Sequence, residues 1–256
     1  MCPSYMATLE EEHSTRGRAN ALRAALSGNL DGKGLASEEL FEVMDLCLEC
    51  KGCKGECPSN VDMAKLKYEF LAHYYEEHGY PLRSQLFGRI DLLSRWGSAF
   101  APLSNWIAGS WLSRWILDRF VGIDRRRHMP TFSRHRFSKW FNKRDYVERG
   151  SGRTVVLFHD TYAEYSDPQI GMAATLILEK AGFDVVIAED KVCCGRPLIS
   201  KGFLRQAREN ARHNIEVLAP YAEKGWPIVG LEPSCILTLR DDYLDLVDDP
   251  RAQLVA

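Results

Sequence analysis

Four cysteines within one short segment carry the first chemistry. The run Cys47-Leu-Glu-Cys50-Lys-Gly-Cys53-Lys-Gly-Glu-Cys57-Pro58 has the form C-x2-C-x2-C-x3-C-P. Thiolates are soft ligands that suit iron, and two-residue spacers let three of them converge on one face of a compact inorganic cluster. Gly52 and Gly55 give the backbone room to wrap that face, and Pro58 turns the chain away after the last cysteine. In proteins with this run and two clusters, the fourth cysteine ligates the other cluster. The pattern points to a 4Fe–4S centre on Cys47, Cys50 and Cys53, and so to one-electron transfer.

That centre needs a fourth ligand, and Cys2-Pro3 offers the same Cys-Pro signature. Cys57 in turn needs three partners from a second C-x2-C-x2-C run, which this sequence lacks. The expectation is that such a run lies upstream, that the chain is a fragment, and that Met1 is an internal methionine. Zinc is the competing metal, because it also takes C-x2-C pairs. Its pairs are usually separated by about a dozen residues or more, whereas this run is continuous. A zinc-stabilised interaction module without a redox role is the alternative of another class. Arg16, Arg18, Lys51 and Lys54 flank the ligands in sequence. Their charge either raises the cluster potential and guides an acidic partner, or, as the more ordinary reading has it, forms a solvated surface.

A second constellation lies in the C-terminal half. Cys193-Cys194-Gly195 follows the apolar run 183–188, and Glu232-Pro-Ser-Cys235 follows the run 227–231. Open α/β sheets place their sites beyond the carboxyl ends of parallel strands. Asp160, just after the run 155–158, falls at the same edge. Asp160, Cys193, Cys194, Glu232 and Cys235 are therefore candidates to converge. The plainer reading has the thiols packing as small apolar groups.

The elements that must position these residues follow from periodicity and caps. Ser14 or Thr15 caps a helix that runs through Leu26 and stops at Gly28, and Ser37 caps a helix over 38–46 that delivers the chain to Cys47. Ser59 or Asn60 starts a long amphipathic helix that closes near Gly79. Residues 81–150 form short helices with aromatic faces and hold five of the six tryptophans (96, 106, 111, 115 and 140). They end in a basic stretch from Arg119 to Lys143. From Thr154 the order strand, helix, strand, helix, strand implies a parallel sheet with right-handed crossovers. The predicted fold is α+β overall. It has a partial helical ferredoxin-like module over 1–80, a helical tryptophan- and arginine-rich connector over 81–150, and an α/β domain with a short parallel sheet over 151–256.

Composition narrows the remaining classes. The net charge of −2 argues neither for nucleic acid nor for an acidic tail, and no nucleic-acid partner is expected. The N-terminus has no apolar core of a signal peptide, and no stretch reaches about 18 uninterrupted apolar residues. Cysteines this tightly clustered point to metal rather than disulfides, which places the chain in a reducing compartment, the cytoplasm.

The residues also match a known family. The string from Cys2 through Glu11-Glu12-His13-Ser-Thr-Arg-Gly-Arg-Ala-Asn to Arg23 resembles the iron–sulfur part of bacterial FAD-linked D-2-hydroxyacid dehydrogenases of the D-lactate, glycolate and D-2-hydroxyglutarate type. So do Cys50-Lys-Gly-Cys53 through Lys65 and Glu232-Pro-Ser-Cys235 through Arg240. The resemblance implies a flavin domain with FAD outside this chain, a two-cluster helical ferredoxin module and a cysteine-rich "CCG" domain. It also implies electron flow from flavin to an acceptor, either a quinone or another redox protein. The same architecture without the flavin domain is similar to the iron–sulfur subunit of anaerobic glycerol-3-phosphate dehydrogenase and to lactate-utilisation iron–sulfur proteins. The CCG domain is shared with heterodisulfide reductase, in its cysteine-rich subunit. Asp160 and Glu232 stand where the CCG pattern has cysteines. The copy is therefore degenerate, and it is the first of two repeats. The aromatic connector is expected to pack on the protein's own core or on the flavin part, with a peripheral contact at the inner face of a membrane as the other option.

Overall fold

The computed structural model describes residues 2–144 and 152–256. The chain divides into two compact units, one made of the chain through Gly88 with Leu198–Leu204, the other of Arg89–Pro197 and Arg205–Ala256.

The first unit is helical: α1 (Pro3–Thr8), α2 (Thr15–Leu26), α3 (Glu38–Asp45), α4 (Gly52–Glu56), α5 (Met63–His78) and α6 (Leu82–Gly88). Ser14 caps α2 by accepting from the Gly17 N–H, and Ser37 caps α3 by accepting from the Leu40 N–H. The α5 cap differs from the sequence reading, because it is Asp62 that accepts from the N–H groups of Ala64 and Lys65, at 3.0 and 3.1 Å. Asn60 cannot serve there: its φ of +53° is left-handed, and its N–H closes a turn onto the Cys57 carbonyl. An N-cap needs the extended backbone that Asp62 adopts. Leu22 and Ala25 of α2, Leu40 and Met44 of α3, and Met63, Phe70, Leu71 and Tyr75 of α5 make one core cluster. Gly17 lets the turn Glu11–His13 close onto α2, since a Cβ there would lie 2.1 Å from the Glu11 carbonyl oxygen.

The second unit opens with α7 (Ile90–Ala99), α8 (Leu103–Gly109) and α9 (Trp111–Ile116), continued by a π-helical turn over Leu117–Val121, and then α10 (Phe137–Lys143). The α/β part follows as β1 (Thr154–Phe158), α11 (Thr161–Tyr165), α12 (Pro168–Lys180), β2 (Asp184–Ile187), α13 (Arg196–Ile199), α14 (Leu204–Ala222) and β3 (Ile228–Gly230). It closes with α15 (Pro233–Leu237), a π-helical turn over Thr238–Asp242, α16 (Tyr243–Leu246) and α17 (Ala252–Val255). The sheet is parallel with order β2-β1-β3, Val155 pairing with Val185 and Leu157 with Val229. A central parallel strand is buried on both faces, and β1 accordingly reads apolar from Val155 to Phe158. Phe137 of α10 packs with Val155, Leu157, Val185 and Ile187. The fold is mostly helical with a short three-stranded parallel sheet, as the sequence indicates.

Helices α7 to α9 do not take the first of the two expected arrangements, packing on the chain's own core. α7 buries Ser94 and Ser98, the latter donating to the Ser133 carbonyl. Gly97 lies so close to Phe132 that a Cβ would come within 2.5 Å of its ring. The large apolar residues point outward instead: Leu92, Trp96 and Phe100 of the α7 face, Leu103 and Trp106 of α8, and Trp111 and Leu112 of α9. These aromatic faces do not pack on the core of the described chain. No helix of the described residues is long and apolar enough to cross a membrane.

Candidate metal centre

Cys2, Cys47, Cys50, Cys53 and Cys57 all line one cavity of about 310 Å³, together with Arg18 and Glu49. Three elements deliver them. Cys2 is the residue before α1, where Pro3 fixes the first turn. α3 ends at Asp45 and hands the chain to Cys47, whose N–H donates back to Met44. Cys50 sits between Glu49 and Lys51, both left-handed at φ 54° and 57°, so the backbone reverses on each side of it. Non-glycine residues adopt that conformation at a cost and persist in it where the surroundings fix them. Cys53 then falls within α4, and Cys57 follows its end.

Two buried cations do that fixing. Lys67 of α5 is only 6 % exposed, and its ammonium donates to the carbonyls of Asp45 at 2.8 Å and Cys47 at 2.7 Å, with Glu49 at 3.9 Å. Burial lowers the Lys67 pKa against the pull of Glu49 and Cys47. Arg18 of α2 is 1 % exposed. Its Nη1 donates to Cys2 Sγ at 3.3 Å, Nη2 to Ser4 Oγ at 2.9 Å, and Nε to the Val43 carbonyl at 3.1 Å. This corrects the solvated reading for Arg18, although Arg16 is exposed as that reading requires. Burial works to raise the Cys2 thiol, but the hydrogen bonds from Ser4 and Arg18 outweigh it and bring it to about 7. Cys47 is pushed up by burial. The missed residue Lys67 had a signal in the sequence: Ala64, Lys67 and Leu71 share one helical stripe, and the cation interrupts an apolar face.

The donor set and its spacing fit a multi-iron cluster. One tetrahedral zinc with four thiolates holds its sulfurs about 3.8 Å apart, from a Zn–S distance of about 2.3 Å. Among the described residues no three cysteine sulfurs come within 4.8 Å of one another. Five thiols spread around a cavity suit a larger group.

At the sheet edge, Cys194 donates to Cys235 across 3.1 Å, and Cys194 is buried. The hydrogen bond with Cys194, and then burial, push the Cys193 thiol far up. Cys194 also rises well above its usual range: the Cys193 bond lowers it, but the Cys235 bond and burial prevail. Asn214 of α14 pins this loop, donating to the carbonyls of Val192 and Cys193 and to the Tyr243 hydroxyl, which itself donates to the Cys194 carbonyl. Asp160 and Glu232 have local work, Asp160 capping α11 and Glu232 capping α15. All the same, one residue that the sequence does not single out, Tyr162, feels this edge: burial first, and then the negative charge at Glu232 and Asp160, raise its phenol pKa.

Residues 1–62 match the 4Fe-4S dicluster domain family, and residues 156–240 match the cysteine-rich domain family. The chain is thus an iron–sulfur protein with a dicluster domain ahead of a cysteine-rich domain. Its relatives include dehydrogenases and a dehydrogenase subunit. D-2-hydroxyglutarate dehydrogenase of Pseudomonas putida is 28 % identical over 95 % of this chain and 28 % of its own length. One subunit of the anaerobic glycerol-3-phosphate dehydrogenase of Escherichia coli is 30 % identical over 65 % of this chain and 42 % of its own. Lactate utilization protein A of Exiguobacterium is 31 % identical over 38 % of each. The chain therefore spans less than half the length of each of these relatives. No solved structure matches it.

Proposed function

We propose that this chain is the electron-transfer part of an FAD-linked 2-hydroxyacid dehydrogenase of the D-lactate, glycolate or D-2-hydroxyglutarate type. The observation that carries this reading is the convergence of Cys2 with Cys47, Cys50, Cys53 and Cys57 on one cavity. Cys2, Cys47, Cys50 and Cys53 would hold one 4Fe–4S cluster, and Cys57 would serve a second cluster whose other cysteines come from another segment or another chain. A bound cluster accepts and releases one electron at a time, which suits a relay between a two-electron flavin and its acceptor. The chain's own residues set that relay's geometry: the Glu49–Lys51 reversal presents Cys50, Lys67 fixes the Cys47 backbone, and Arg18 fixes Cys2. The flavin belongs to another domain or another chain, and the acceptor is a quinone or a redox protein.

The likeness to a component of anaerobic glycerol-3-phosphate dehydrogenase supports a second assignment, a separate iron–sulfur subunit of a glycerol-3-phosphate or lactate oxidising complex. Location follows from the outer face of α7 to α9. Exposed Trp106 and Trp111, together with the exposed basic residues Arg125 and Arg127 of the segment that follows, favour a cytoplasmic chain lying peripherally on the inner face of a membrane. Cys193, Cys194 and Cys235 are assigned a lesser metal-binding role at the sheet edge.

Iron, sulfide and zinc content of anaerobically purified protein, with an EPR spectrum after dithionite reduction, tests the proposal. About four iron and four sulfide per chain are expected for one complete cluster, together with a reduced-cluster signal. Cys50→Ala should abolish that signal, and Cys57→Ala should leave it largely intact. Stoichiometric zinc without sulfide would sink the redox reading in favour of a structural module.

A further inference from the structure

Arg18 is a guanidinium sealed inside a helical unit. It lies on the stripe Arg18, Leu22, Ala25 of α2, at a position where the pattern calls for an apolar side chain, and the last two belong to the core cluster. None of the three groups it donates to is a carboxylate: they are the Val43 carbonyl, the Ser4 hydroxyl and the Cys2 sulfur. Burying a cation without an anionic partner is costly. That cost is offset where a thiolate takes the place of the Cys2 thiol, because the hydrogen bond then joins opposite charges.

The three bonds also join separate pieces of the site. Val43 belongs to α3, which delivers Cys47, while Ser4 belongs to α1, which Cys2 immediately precedes. Ser4 extends the chain of contacts by donating to the His13 carbonyl and sharing a 3.1 Å hydrogen bond with Cys2. One planar fork thus fixes two ligand segments that lie far apart in sequence, a task a lysine's single point charge cannot perform.

We propose that Arg18 is the positioning residue of this centre, clamping Cys2 to the α3 end and raising the reduction potential of the cluster that Cys2 helps to hold. The inference rests on the ligand assignment made above for Cys2. A hydrogen bond from a cation to a ligand sulfur stabilises the more negative, reduced form of a cluster over the oxidised form, and so moves its potential upward. A purely structural Arg18 would alter stability but not potential.

The test is an EPR-monitored potentiometric titration of the full chain and its R18Q and R18K variants, with iron content measured on the same samples. R18Q, at undiminished iron, should titrate at a more negative midpoint than wild type. R18K keeps the charge but not the fork, and should fall between the two. If R18Q fails to retain iron, R18K decides. A wild-type midpoint in R18K, or in iron-loaded R18Q, overturns the role given to Arg18 and leaves the ligand assignment standing. Cys2→Ala tests that assignment separately: reduced iron or an altered EPR spectrum supports it, and full iron with an unchanged spectrum overturns it.

Discussion

Lys67 contradicts the helix that carries it. Its neighbours along the stripe, Ala64 and Leu71, are core residues, and a side chain of their kind would pack there without any charge to bury. The lysine persists because α3 ends with two carbonyls, those of Asp45 and Cys47, turned inward and away from water. A buried carbonyl left without a donor costs about 1–3 kcal/mol, so the ammonium replaces two such penalties with two charge-assisted bonds. Lys67→Met keeps the volume and removes both donors. It should lower the unfolding free energy of the chain by roughly 2 kcal/mol or more, measured by urea denaturation, and should also shed iron faster under chelator challenge. Stability equal to wild type would show that these carbonyls find other donors and that Lys67 is dispensable to the loop.

At the scale of elements, the start of α5 decides how the cysteine loop ends. Asp62 binds two backbone N–H groups of the first turn through one oxygen, while Lys54 of α4 lies 3.5 Å from the other. The cap thus fastens both sides of Cys57. Asp62→Ala should cost about 1 kcal/mol through the lost cap, seen as a lower thermal midpoint. Asp62→Asn should recover most of it by keeping the cap while giving up the ion pair. Equal loss in both variants would assign the effect to the charge instead. The sequence made much of this architecture legible. Ser14 and Ser37 sit directly before periodic apolar patterns, and the β1 run is apolar throughout because it is the middle strand. Helix α4 was hidden, since five residues with two glycines have no periodicity to show. The cap of α5 was misplaced because Ser59, Asn60 and Asp62 are all capping types, and only the left-handed turn at Asn60 separates them. Of the site, the cysteines were plain from spacing, whereas Tyr162 and Asn214 depend on which loops the sheet brings together.

The whole molecule presents one surface whose amphipathicity is reversed. Soluble helices turn their large apolar side chains inward. α7 instead buries serines and a glycine contact, while Trp96 and Phe100 stack on each other outside, at 5.9 Å between ring centroids. Along α8 and α9, Trp106 is 73 % and Trp111 is 76 % exposed. Tryptophan is the residue enriched at lipid–water boundaries, where its ring is apolar and its N–H remains wet. Arg114, on the same helix as Trp111, reaches His128 at 3.4 Å, and Arg125 and Arg127 close to His128 in sequence are exposed, while Arg126 is paired with Asp124. An anionic lipid surface satisfies both features, the acyl boundary taking the rings and the headgroups taking the arginines. The chain should therefore co-sediment with vesicles containing phosphatidylglycerol and less with pure phosphatidylcholine. Its tryptophan emission should shift to shorter wavelength on binding, and added salt should weaken the interaction. The double variant W106E/W111E should lose at least about tenfold in partitioning, the factor that corresponds to about 1.4 kcal/mol, while keeping its iron and its EPR signal. If wild type binds neither kind of vesicle, the face is a docking surface for protein, and the same double variant should then fail to join its flavin partner.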